Sequence, residues 1–74
     1  MNIDTLALQY ARSQSGIDQL QRAYAELTHA QQVMDSLGLD TEESSEAGQI
    51  IMRMMKSLGD KNRVIWRELK ERSE

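Results

Sequence analysis

The sequence predicts an all-α protein built as an antiparallel helical hairpin, with helices over about residues 3–37 and 41–72 of a single domain, 1–74. Three observations carry this. The chain has no Pro and no Phe and is rich in Gln, Glu, Leu, Ala, Met and Arg, all good helix formers. Apolar residues recur at steps of three and four along both halves. Between the halves, the run Leu37-Gly38-Leu39-Asp40 offers a stop, a turn and a restart in that order.

The first helix reads as one phase. Counting sevens from Ile3, one heptad position holds Ile3, Tyr10, Ile17, Tyr24 and Gln31, and the position three residues on holds Leu6, Ser13, Leu20, Leu27 and Met34. Eight of these ten are apolar or aromatic, so they form one stripe of a coiled-coil type. Ser15-Gly16-Ile17-Asp18 resembles a capping box, and a break there would give a three-helix bundle instead. The stripe keeps its phase across Gly16, which a chain folding back would not need, and one interior Gly costs only about 1 kcal/mol against Ala. A continuous helix is the expectation. Ser13 and Gln31 sit at core-type positions and are expected to be mildly solvated, though polar seam residues can also fix register.

At Gly38 the helix should stop, because Gly enters the left-handed region without a Cβ clash. Leu39 then falls where a Schellman motif places an apolar contact back onto Met34. Asp40 is the expected N-cap of the next helix, with Glu43 completing an acidic capping box. Glu42, Glu43 and Glu46 crowd its first turns, where the helix dipole favours negative charge.

The signal Met-x-Ser-Leu-Gly occurs twice, at Met34–Gly38 and again at Met55–Gly59. After the second copy Asp60 has no acid three places on; Arg63 stands there instead. Ala47, Ile51, Met54, Leu58, Asn62, Ile65 and Leu69 run at steps of 4, 3, 4, 4, 3 and 4. That pattern predicts a seam with one four-residue stutter, which a continuous helix accommodates by local unwinding. The chain is expected to turn once and run through Gly59.

A hairpin of two helices leaves apolar surface to cover. Ile50, Met52, Met55, Val64 and Trp66 lie beside the second seam, and Ala23, Ala30, Val33 and Leu37 widen the first. Self-association of two hairpins into a four-helix bundle is one way to cover them, and docking of another protein is a second. The expected contact surface is Met52, Met55, Val64 and Trp66, with Arg53, Arg63 and Arg67 flanking it as charge complement. Trp66 would be the anchor and the methionines the adaptable part.

Composition limits the chemistry. There is no Cys, and the one imidazole, His29, falls opposite the first seam. The four glycines are scattered, so no phosphate-cradling loop exists, and the carboxylates near the turn lack the spacing of a calcium loop. No catalytic residue, cofactor or metal is expected. Seven bases in residues 48–74 (Arg53, Lys56, Lys61, Arg63, Arg67, Lys70 and Arg72) keep nucleic acid in view as the alternative partner of a dimeric hairpin. Against it stand the net charge of −3, the interruptions at Glu68 and Glu71, and a lone nearby aromatic. No apolar run approaches 18 residues, and Met-Asn-Ile-Asp does not read as a secretory start, so a cytoplasmic address is expected. The functional expectation is a non-enzymatic interaction module: an adaptor, a co-chaperone, or a small bacterial or phage regulator that inhibits a larger assembly.

Overall fold

The computed structural model describes residues 2–73, and Met1 and Glu74 lie outside the described residues. Two helices, α1 (Ile3–Ser36) and α2 (Glu42–Ser73), pack antiparallel into a rod of 56 × 15 × 14 Å. Neither helix is long and apolar enough to cross a membrane.

Local chemistry sets each end. Asn2 has extended backbone, and its Oδ1 accepts a 2.8 Å hydrogen bond from the Thr5 N–H, which caps the start of α1. At the other end the Leu39 N–H donates to the Met34 carbonyl at 2.9 Å and the Gly38 N–H to Asp35 at 3.0 Å, with Gly38 at φ 73°. This is the Schellman closure expected from Gly38. The restart differs from expectation. Asp40 is not the N-cap: the Thr41 carbonyl accepts the first helical bond, from the Ser45 N–H at 2.9 Å. The Asp40 Oδ1 instead accepts from the Glu42 N–H at 3.0 Å, an Asx turn that ties down the approach to the helix. Both helices thus differ from the expected bounds by a single residue at the turn.

The three-helix alternative is not adopted, for α1 runs unbroken through Ser15 and Gly16. The reason lies across the hairpin. A Cβ on Gly16 would come within 3.2 Å of Leu58 Cδ1, so this glycine lets the helices approach rather than breaking one of them. α2 likewise continues through Gly59.

The seam of α2 needs correcting. Its inward residues are Ser44, Gly48, Ile51, Met55, Leu58, Asn62, Ile65 and Leu69, at steps of 4, 3, 4, 3, 4, 3 and 4. There is no stutter. Gly48 and Met55 hold the places expected for Ala47 and Met54; Ala47 stays half-buried beside the seam, and Met54 is turned outward at 49% exposure. An uninterrupted heptad follows the partner helix without local unwinding. At Gly48 the Tyr24 and Leu27 side chains would stand 3.6 and 3.8 Å from an added Cβ, which is ordinary packing contact.

The core is thin. Among the described residues Leu6 and Ile65 are the buried large apolar side chains, both toward the end of the rod away from the turn. Next to them Ser13 and Asn62 are also buried, which corrects the expectation of a mildly solvated Ser13. Near the turn the Gln31 Nε2 donates to Ser45 Oγ at 2.7 Å, a polar bridge between the helices.

Candidate interaction surfaces

An α-helix turns about 100° per residue, so the phase of the α2 seam fixes where its remaining side chains point. Met52, Gly59 and Trp66, spaced by sevens, fall on one flank of the seam; Ile50, Met54 and Val64 fall on the other. The expected contact surface therefore splits. Met52 and Trp66 share a flank and are 54% and 55% exposed. Met55 lies in the seam itself and is half-buried. Val64, two residues before Trp66, points about 200° away from it and is exposed on the opposite side.

The Trp66 flank is braced from α1. The Tyr10 and Trp66 rings have centroids 5.5 Å apart and planes tilted by 40°, a favourable arrangement for two aromatic quadrupoles. Tyr10 is half-buried and holds one side of an indole whose other side is open. Between Met52 and Trp66, nothing lies within 4 Å of the place a Gly59 Cβ would occupy. This flank is an open strip with a notch at its middle.

The opposite flank carries two shallow apolar grooves that meet at Leu58. One is lined by Ile50, Arg53, Met54, Ser57 and Leu58. The other is lined by Gln9, Arg12, Ser13, Leu58, Lys61 and Ile65. Arg53 thus belongs to this side, apart from the Trp66 strip. The role of Met54 here was hidden in the sequence because Met54 and Met55 are adjacent and equally apolar. Only the position of Gly48 in the seam decides which of them faces inward.

Charge is distributed along the outer face of α2. Lys56, Arg63 and Arg67 project there, and Asp60 lies among them. Asp60 forms an ion pair with Lys56 at 3.2 Å and a second with Arg63. Hydrogen bonding and charge from Lys56, then charge from Arg63, hold the exposed Asp60 carboxyl below the ordinary aspartate range. Two of the bases counted toward a nucleic-acid face are thereby paired with one acid, which halves their net charge. Arg67, next to Trp66 in sequence, points about 100° away from it, onto this outer face. His29 is exposed on α1, and among the described residues no group of three or more His, Cys, Asp or Glu is placed to hold a metal ion.

Within the seam, the Ser13 Oγ donates to the Leu58 carbonyl at 3.4 Å. The Asn62 Oδ1 is buried without a hydrogen-bond partner. A buried amide oxygen left unpaired costs on the order of 1–3 kcal/mol, so this layer weakens the hairpin while restricting how its helices can slide.

Comparison of the chain with protein-family models, with curated proteins and with solved structures finds no match.

Proposed function

We propose that this chain is a non-enzymatic interaction module that works as a homodimer, two hairpins forming a four-helix bundle, and binds another protein through the apolar surface that the dimer leaves open. The expected cytoplasmic address belongs to the same reading. The observation that supports it is surface area. The hairpin exposes 5802 Å². A compact monomer of its 8.5 kDa mass exposes roughly 4,700 Å². The excess, roughly 1,100 Å² per chain, exceeds the ~800 Å² that each partner buries in a standard protein–protein interface. It includes Ile50, Met52, Met54, Val64 and Trp66, all about half exposed. A rod with two such flanks can use one for a copy of itself and keep the other for a different protein.

The nucleic-acid alternative draws on the basic outer face of α2 and is weakened by the Asp60 pairs. A gel-shift titration separates the two. The interaction-module reading expects no salt-sensitive shift with RNA or DNA at low ionic strength. A shift abolished by Arg63→Glu with Arg67→Glu would favour the alternative. For protein binding, Ile50→Asp with Met54→Asp should abolish capture of an identified partner, confirmed with that partner purified, while far-UV circular dichroism stays helical. Undiminished capture by this variant would remove the grooves around Leu58 from consideration.

A further inference from the structure

Gly59 is the helical glycine of this fold whose missing side chain faces open space. Glycine is among the poorest residues for a helix interior, so its presence there asks for a reason in packing or function. Gly16 has its reason in Leu58 and Gly38 in its positive φ, while Gly48 lies in ordinary contact with Tyr24 and Leu27 inside the hairpin. Gly59 is helical, has no positive φ, and has nothing within 4 Å of its absent Cβ. Within the chain the missing side chain serves no contact.

Resting on the self-association reading above, we infer that Gly59 marks the crossing point of two copies of this chain, with α2 packed antiparallel on α2 of the second copy about a two-fold axis at Gly59. Three features fit this occupant. Gly59 lies close to the middle of α2 (Glu42–Ser73), so a two-fold there overlaps the helices along nearly their whole length. Met52 and Trp66 stand seven residues before and after it, so the same operation sets Trp66 of each copy on Met52 of the other. A thioether against an aromatic ring is a favourable contact, and an isologous interface must be self-complementary in this way. Charge agrees as well. The start of α2 carries Glu42, Glu43 and Glu46 with no base before Arg53, whereas residues 61–73 hold five bases against Glu68 and Glu71. Antiparallel pairing lays each acidic end beside the other copy's basic end; parallel pairing would stack like on like. The Leu58 grooves on the opposite flank then stay free.

The chain contains no cysteine, so single thiols report the geometry. The experiment follows air oxidation of full-length Gly59→Cys and Met54→Cys proteins, together with solution mass and circular dichroism of wild type and Gly59→Gln. The expected result is a wild-type mass of two chains, disulfide linkage at least ten-fold faster for Gly59→Cys than for Met54→Cys, and a helical Gly59→Gln that runs as one chain. Linkage at Met54 as fast as at Gly59, or none at Gly59, with the two-chain mass retained would overturn the axis and leave the dimer standing. A wild-type mass of one chain would overturn both and return the Trp66 strip to a different protein. Should Gly59→Gln fail to fold, the ratio of the two linkage rates still decides.

Discussion

Gly16 of α1 lies directly beneath Leu58 of α2, so close that an added Cβ would stand 3.2 Å from Leu58 Cδ1. At Gly48 the corresponding distances are 3.6 Å to Tyr24 and 3.8 Å to Leu27, which is ordinary contact. Two glycines of one seam should therefore respond differently to the same substitution. Gly48→Ala gains helix propensity and fills space without a clash, and should stabilise by about 0.5–1 kcal/mol, raising Tm by roughly 3–6 °C. Gly16→Ala gains as much but pushes on Leu58. That side chain borders an open groove and gives way, for a net change within about 0.5 kcal/mol. Gly16→Val should destabilise by about 1–3 kcal/mol. Thermal melts of the three variants check the order, and a Gly48→Ala less stable than wild type would contradict the seam assigned to α2.

Asn62 is the polar weak point of the core. Its buried Oδ1 has no partner, so Asn62→Leu should raise stability by about 1–2 kcal/mol in urea unfolding by removing an unpaired acceptor and adding apolar contact. The same change removes the polar residue that disfavours sliding of the helices, and should broaden the amide resonances around Ser13 and Leu58. A variant less stable than wild type would mean that the amide oxygen has a partner in solution.

Asp60 supplies a pH dependence with a definite sign. Lys56 first, then Arg63, lower its folded-state pKa below that of the unfolded chain. The stabilisation is fully present above the ordinary aspartate range. It is lost as pH falls through the lower folded-state value. Because the groups are exposed, the effect is small and screened by salt. In a carboxyl-resolved NMR titration the Asp60 midpoint should rise in Lys56→Gln, and should rise in wild type at high salt. An Asp60 midpoint unmoved by Lys56→Gln would show that the pair does not persist in water.

The hairpin was legible because its signals are local: Gly38 for the stop, the heptads of α1 for continuity, and the acids after Thr41 for the restart. The second seam was misread by one place in its first half because its marker is a glycine. Gly48 carries no hydropathy, so Ala47 and Met54 took the places of Gly48 and Met55, and a stutter had to be inserted to reach Leu58. The contact surface was blurred for a related reason. Met52, Met55, Val64 and Trp66 are alike in character, but their grouping depends on angle, and an error of one residue turns a helix by about 100°. Tyr10 as the brace of Trp66 follows from the register between helices, which hydropathy within one helix does not encode.

In the proposed dimer, a hairpin that buries too little of its own apolar surface completes itself with a second copy. Light scattering on the full chain at high micromolar concentration tests it most directly. The proposed dimer gives twice the 8.5 kDa chain mass; a mass of 8.5 kDa that stays unchanged with concentration rules it out.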